Sequence, residues 1–244
     1  MSFLRTLFFF VVFWLHQLLI TPLLLHYTLL ARRQGEAIAR KRVRYIIRHW
    51  GKMVVFLSGA RLKVCNQNPD LPEDEAFLIV SNHQGEFDIP ILSGYANRPL
   101  GFVAKKELAH IPLVSRWMRL TGCVFLDRDD RRSQVAQIRT TIDTLKSGHS
   151  MVIFPEGTRS GTNDLLPFAK GSLNIAAKAG VRILPVTLKN SCRLKPKGSL
   201  RLPGGPVTLT FHPVIDPAKL SPEEQAHLHD IVRDQIAQAL PPPA

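Results

Sequence analysis

Ala76-Phe77-Leu78-Ile79-Val80-Ser81-Asn82-His83-Gln84-Gly85-Glu86-Phe87-Asp88-Ile89-Pro90-Ile91-Leu92 is the stretch on which the fold of this chain turns. Its first five residues are an apolar run of strand length, and Ile89-Pro90-Ile91-Leu92 is a helix-start signal with its proline just inside the first turn. The polar residues between them therefore form a strand-to-helix turn, and His83 sits on it. His83 and Asp88 are five residues apart, a spacing that sends two side chains to different faces of a regular helix. A turn followed by a first helical turn instead folds the carboxylate back onto the ring. Asp88 then holds the imidazole in one tautomer and stabilises the imidazolium, which makes His83 a candidate general base. The competing reading makes Asp88 a helix cap ahead of Pro90 and His83 an ordinary polar residue at a strand end.

Working outward, short β-type runs alternate with helix-type segments beyond about residue 60, the pattern of an α/β domain with a mostly parallel or mixed sheet flanked by helices. Strands are expected at 62–65, 76–81, 101–104, 123–126, 151–154, 183–188 and 207–211. Helices are expected at 89–95, 112–120, 133–146 and 172–179, with Gly148 and Gly180 as C-terminal stops. A last helix over 222–240 opens on the capping signal Ser221-Pro222-Glu223-Glu224 and ends before three consecutive prolines. His83, Lys105-Lys106, Asp127-Arg128 and Pro155-Glu156-Gly157-Thr158-Arg159-Ser160 each follow a strand run. Open α/β sheets put their ligands at such strand ends, so the four are expected to converge on one cleft.

The N-terminus reads differently. No Asp, Glu, Lys or Arg occurs from Thr6 through Ala31, a stretch longer than the roughly 20 residues that cross a hydrocarbon core. Behind it stand Arg32, Arg33, Arg40, Lys41, Arg42, Arg44, Arg48 and Lys52, with Glu36 as the only acid among them, which by the positive-inside rule keeps the body of the protein in the cytoplasm. His16, Gln17 and Pro22 interrupt the apolar run, and residues 43–57 mix apolar with basic side chains. A pair of helices lying in one leaflet and a single span both fit this pattern. Residues 1–60 are thus expected to be a membrane-binding helical segment and 61–244 the α/β domain.

Thirty-two Lys and Arg against 19 Asp and Glu give a net charge of +13, so the surface this chain meets is anionic. Lipid headgroups fit; nucleic acid does not, because interleaved aromatics and known binding motifs are absent. The three scattered cysteines form no C-x-x-C pair, which disfavours a disulfide framework and a zinc ribbon. His227 and His229, two apart, do not share a helical face as metal ligands would. No metal or organic cofactor is expected.

Phe154-Pro155-Glu156-Gly157-Thr158-Arg159-Ser160 supplies a rigid turn, a glycine that permits close backbone approach and an arginine whose planar fork suits a phosphate, with a salt bridge from Arg159 to Glu156 or Asp164 as the bland alternative. The P-loop, dinucleotide-binding and G-x-S-x-G patterns are all missing. Without a nucleophile elbow, His83 activates a hydroxyl belonging to the substrate.

These residues resemble the glycerolipid acyltransferase family, in its bacterial 1-acylglycerol-3-phosphate branch. Asn82 to Asp88 matches the family's N-H-x-x-x-x-D block, Gly122 to Arg128 its G-x-x-F-x-x-R block and Phe154 to Ser160 its F-P-E-G-T-R-S block. Ile183 to Leu188 matches its late proline-centred strand, and Lys105-Lys106-Glu107-Leu108 its K-x-E-L element. Gly85, where Ser is common, and the extra carboxylate of Glu86 depart from the pattern. The resemblance implies transfer of an acyl chain from an acyl-ACP or acyl-CoA thioester to the free hydroxyl of lysophosphatidic acid, making phosphatidic acid at the cytoplasmic face of the inner membrane. It implies His83 and Asp88 as the catalytic pair, with Lys105, Arg128 and Arg159 holding the acceptor's phosphate. Glu156, Gly157 and Thr158 complete the acceptor site. The readings that compete with it are an acyltransferase or transacylase for another lysolipid, with Cys123 as nucleophile in a covalent variant, and a non-catalytic lipid-binding module.

Overall fold

The structure is a computed structural model and describes residues 2–127, 130–169 and 171–242. Two helices lead the chain, α1 (Ser2–Gln34) and α2 (Glu36–Leu57), broken at Gly35, whose φ of 92° lies in the left-handed region that suits glycine. A seven-stranded sheet follows, made of β1 (Ala60–Asn66), β2 (Phe77–Ser81), β3 (Leu100–Lys105), β4 (Val124–Leu126), β5 (Ser150–Ile153), β6 (Arg182–Lys189) and β7 (Gly205–Phe211). The remaining helices are α3 (Asp88–Tyr95), α4 (Val114–Leu120), α5 (Arg131–Lys146), α6 (Asn174–Ala179), α7 (Pro222–Ala226) and α8 (Leu228–Ala237).

The strand order is β1-β7-β6-β2-β5-β3-β4, and every neighbouring pair is parallel except β6 with β7. All seven expected strands are present, shifted at their ends by one or two residues. The helix expected over 222–240 is instead two. Its first turn closes with the expected capping box between Ser221 and Glu224, but at His227, with φ −101° and ψ 14°, the chain leaves helical geometry before α8 begins. The break lets Leu228, Val232 and Ile236 of α8 turn one apolar face onto the sheet.

Because successive strand residues point to opposite faces, β2 divides the core in two. Phe77 and Ile79 pack on one face with Val54 and Val55 of α2 and Ile91 and Leu92 of α3, while Leu78 and Val80 pack on the other with Leu145, Ile175, Ala176 and Val232. All five residues of β2 are buried, as an apolar run without alternation requires when helices cover both faces.

The α2 and α3 helices touch backbone to backbone at Gly51 and Gly94. A Cβ added at Gly51 would lie 2.6 Å from Gly94 N and 2.6 Å from Pro90 O, atoms that cannot yield by rotating a side chain. Gly51→Ala is therefore expected to push the helices apart and lower stability by about 1–3 kcal/mol. A thermal melt in detergent would show it against Arg42→Ala, at an exposed position of α2, whose change should stay within about 0.5 kcal/mol. Equal melts for the two variants would show that the helix contact is not tight.

Candidate active site

Parallel pairing sets the C-terminal ends of β2, β5, β3 and β4 side by side. The turn holding His83 follows β2, Pro155 to Ser160 follow β5, and Lys105 ends β3. With strands about 4.8 Å apart, Lys105 stands two strands, or roughly 10 Å, from the β2 line. Arg128 lies outside the described residues.

Beyond β2, Asn82 is buried and extends the sheet with its side chain. Its amide nitrogen donates to Leu188 O at 2.8 Å, and its amide oxygen accepts from Leu188 N–H at 2.8 Å, replacing a rung of backbone pairing to β6 just where the chain turns away. His83 comes next. Its Nδ1 is 2.7 Å from Asp88 Oδ2, and the same oxygen accepts from the Gln84 and Gly85 N–H groups at 2.7 and 2.9 Å. Asp88 is fully buried, and α3 starts without any side-chain cap. The capping reading of Asp88 is thus replaced, because the carboxylate turns back onto the loop that precedes it.

An Nδ1 beside a carboxylate carries the proton, so the lone pair of the neutral ring lies on Nε2, which has no protein partner among the described residues. The ring stacks on Phe154 at 4.0 Å between centroids and 16° between planes. That contact fixes the imidazole plane.

Glu156 braces the turn from below. One of its oxygens accepts from His83 N–H at 2.7 Å and the other from Leu166 N–H at 3.1 Å. Burial pushes its carboxyl up to about 7, against the pull of those two N–H donors and with a further upward push from Asp88. Gly157, with φ 70°, closes the tight turn by donating to Phe154 O at 3.0 Å, and Thr158 and Arg159 project into solvent. The expected alternatives for Arg159 were Glu156 and Asp164; it pairs instead with Glu86, at 3.2 Å. Glu86 also meets Lys195 at 3.0 Å.

A polar network that sequence reading did not anticipate locks the three loops together. The Gln84 amide oxygen accepts from the N–H and hydroxyl of Ser191, each at 3.0 Å, while its nitrogen donates to Asn163 Oδ1 at 3.0 Å. Asn163 donates in turn to Asn190 Oδ1 at 2.9 Å, and the Ser160 and Gly161 N–H groups donate to the His83 and Gln84 carbonyls. Asn190 takes a left-handed φ of 66°, one that Asn tolerates. Such an Asn directly after a strand run is the one local sign of this network.

Structure places the remaining candidates away from the base. Cys123 precedes the edge strand β4, at the end of the parallel strands opposite to the catalytic turn, bonded to Phe102 N–H and beside Thr121, and burial raises its thiol pKa. His229 accepts from Gly171 N–H, and no group of three His, Cys, Asp or Glu side chains assembles around a point among the described residues.

A model of the Acyltransferase family matches residues 61–189, just over half of the 244-residue chain. A 1-acyl-sn-glycerol-3-phosphate acyltransferase of Borreliella burgdorferi is 35% identical over 190 residues, covering 78% of this chain and 75% of that protein. The Escherichia coli enzyme of the same name is 32% identical over 186 residues, covering 72% and 74%. A Chlamydomonas reinhardtii enzyme so named is 38% identical over 172 residues, and the matched part of this chain spans half of that longer protein. Among solved structures, the 1-acyl-sn-glycerophosphate (LPA) acyltransferase PlsC of Thermotoga maritima superposes with a TM-score of 0.82 at 34% identity, over 97% of this chain and 93% of that one. The His83–Asp88 geometry, the family match and a structural likeness running almost end to end agree, and the chain belongs to the Acyltransferase family.

Proposed function

We propose that this protein transfers an acyl chain from an acyl thioester, carried by acyl carrier protein or coenzyme A, to the sn-2 hydroxyl of 1-acylglycerol-3-phosphate, yielding phosphatidic acid for phospholipid synthesis. The observation that carries the reading is the pinning of His83 Nδ1 to buried Asp88, which leaves Nε2 as the base of a turn whose Glu86 pairs with Arg159. Nε2 takes the hydroxyl proton as the oxygen attacks the thioester carbonyl. The C–O bond forms, the C–S bond breaks, and the imidazolium returns the proton to the leaving sulfur. No acyl-enzyme forms. Fixing both reactants in attack geometry supplies roughly 7–11 kcal/mol, and base catalysis adds about 10² to 10⁴ in rate, so positioning is the larger share.

Arg159, Arg128 and Lys105 are the cations proposed for the acceptor's phosphate. In the same reading Glu156, Gly157 and Thr158 shape the turn that presents Arg159. The acceptor reaches the cleft from the bilayer. Helix α1 is long and apolar enough to cross a membrane, and Phe3, Leu4, Leu7, Phe8, Trp14 and Leu18 present an exposed apolar stripe along it. Its Phe9 packs on Phe87, next to Asp88, so the helix that meets lipid also touches the catalytic turn. Residues 1–60 are read as this membrane-associated part, at the cytoplasmic face of the inner membrane, with the basic residues of α2 toward anionic headgroups.

The test is thiol release by the purified chain in phospholipid vesicles, with lysophosphatidic acid, lysophosphatidylcholine and lyso-ornithine lipid as acceptors. Lysophosphatidic acid is expected to be preferred by about ten-fold or more, since a phosphate monoester matches an arginine fork best. Equal turnover of the three acceptors would contradict the assignment.

A further inference from the structure

Glu86 is the one acid in the catalytic turn that the proposed chemistry leaves unused, and its surroundings are specific. One of its oxygens lies 3.2 Å from an Arg159 nitrogen and the other 3.0 Å from Lys195 Nζ. Two cations from separate loops, one after β5 and one after β6, therefore close on a single carboxylate inside the turn that carries the base.

Lys195 is not a loose surface lysine. It directly follows the short 3-10 turn Ser191–Leu194, which is anchored by the two Ser191 hydrogen bonds to Gln84 and by fully buried Leu194. Its side chain is 22% exposed, against 50% for Glu86. One carboxylate cannot balance two cations, so the seat keeps an excess positive charge. A phosphate monoester brings three acceptor oxygens and nearly two charges and has oxygens spaced much like those of a carboxylate, so it fills the same seat more completely.

We propose that Lys195 is a specificity-determining residue for the acceptor's phosphate, and that Glu86 is its built-in placeholder, holding Arg159 and Lys195 in position until the phosphate displaces it. This rests on the reading of Arg159 as a phosphate-binding residue. Because the carboxylate competes with the ligand, it sets a threshold: a phosphorylated acceptor displaces it, and an acceptor without that charge does not.

Full-length protein in vesicles, assayed with lysophosphatidic acid and with the neutral 1-acylglycerol, which shares the sn-2 hydroxyl, tests the idea. Lys195→Met keeps the aliphatic stem and is expected to raise KM for lysophosphatidic acid by about ten-fold or more while moving KM for 1-acylglycerol less than two-fold, with Lys195→Arg restoring most of the loss. Glu86→Gln is expected to do the opposite, lowering KM for lysophosphatidic acid several-fold and making inorganic phosphate a stronger competitive inhibitor. An equal rise in KM for both acceptors in Lys195→Met, or a rise in Glu86→Gln, would overturn these roles. If the wild-type chain acylates lysophosphatidic acid but neither variant changes the KM ratio of the two acceptors, only this inference falls. If the wild-type chain does not acylate lysophosphatidic acid, the proposed function falls with it.

Discussion

His83→Ala is expected to lower thiol release by about 10² to 10⁴ while leaving the chain folded and bound to vesicles. The size of the effect follows from Nε2, which holds the lone pair and has no hydrogen-bond partner among the described residues. The modest effect on folding follows from what remains. Asp88 Oδ2 keeps its hydrogen bonds from Gln84 and Gly85 N–H, so the buried carboxylate is not orphaned, and the His83 backbone keeps Glu156 and Ser160 as partners. What is lost is one hydrogen bond and the stack on Phe154, together about 1–3 kcal/mol, a drop of roughly 2–12 °C in the thermal midpoint. Acceptor binding should survive, because Arg159 and Lys195 do not touch the ring. Activity within a few-fold of wild type in the variant would end the assignment of His83 as base.

Much of this site could be read before any coordinates because its main parts are local. An apolar run closed by Asn82-His83 announces a strand end, and five residues of turn suffice to bring Asp88 back to the ring. All seven strands were legible for the same reason, as short apolar runs between polar breaks. Their order was not. The edge strand β1 pairs with β7 through contacts separated by more than 140 residues, and β7 runs antiparallel to β6, neither of which a local period encodes. The break at His227 was hidden because the residues on both sides continue a helical pattern. The partners of Glu86 were equally hidden: its position showed an extra carboxylate, but only the fold of the chain after β6 brings Lys195 to it. Gln84 fills an open position of the N-H-x-x-x-x-D block, and it is the hub that ties that turn to Asn163 and Ser191.

Asp88→Asn separates two things the carboxylate does, holding the loop and carrying charge. Asparagine keeps one oxygen of the right shape, which can accept from Gln84 and Gly85 N–H as Asp88 Oδ2 does, while its amide nitrogen takes the place of Oδ1, an atom with no hydrogen-bond partner among the described residues. The thermal midpoint should therefore stay close to wild type, unlike that of Asp88→Ala, which strands three N–H donors in a buried site. The chemistry should not survive. With the amide oxygen toward Nδ1, the imidazolium formed on proton transfer loses its counter-charge; with the amide nitrogen there, Nε2 holds the proton and the base is gone. Either orientation lowers kcat by about 10² to 10⁴, while KM for lysophosphatidic acid, set by the phosphate seat, should move only a few-fold. A kcat within a few-fold of wild type would show that Asp88 only braces the turn. The double variant sharpens the point, because two groups acting as one device are not additive: His83→Ala with Asp88→Asn should be no slower than His83→Ala alone, whereas independent contributions would multiply.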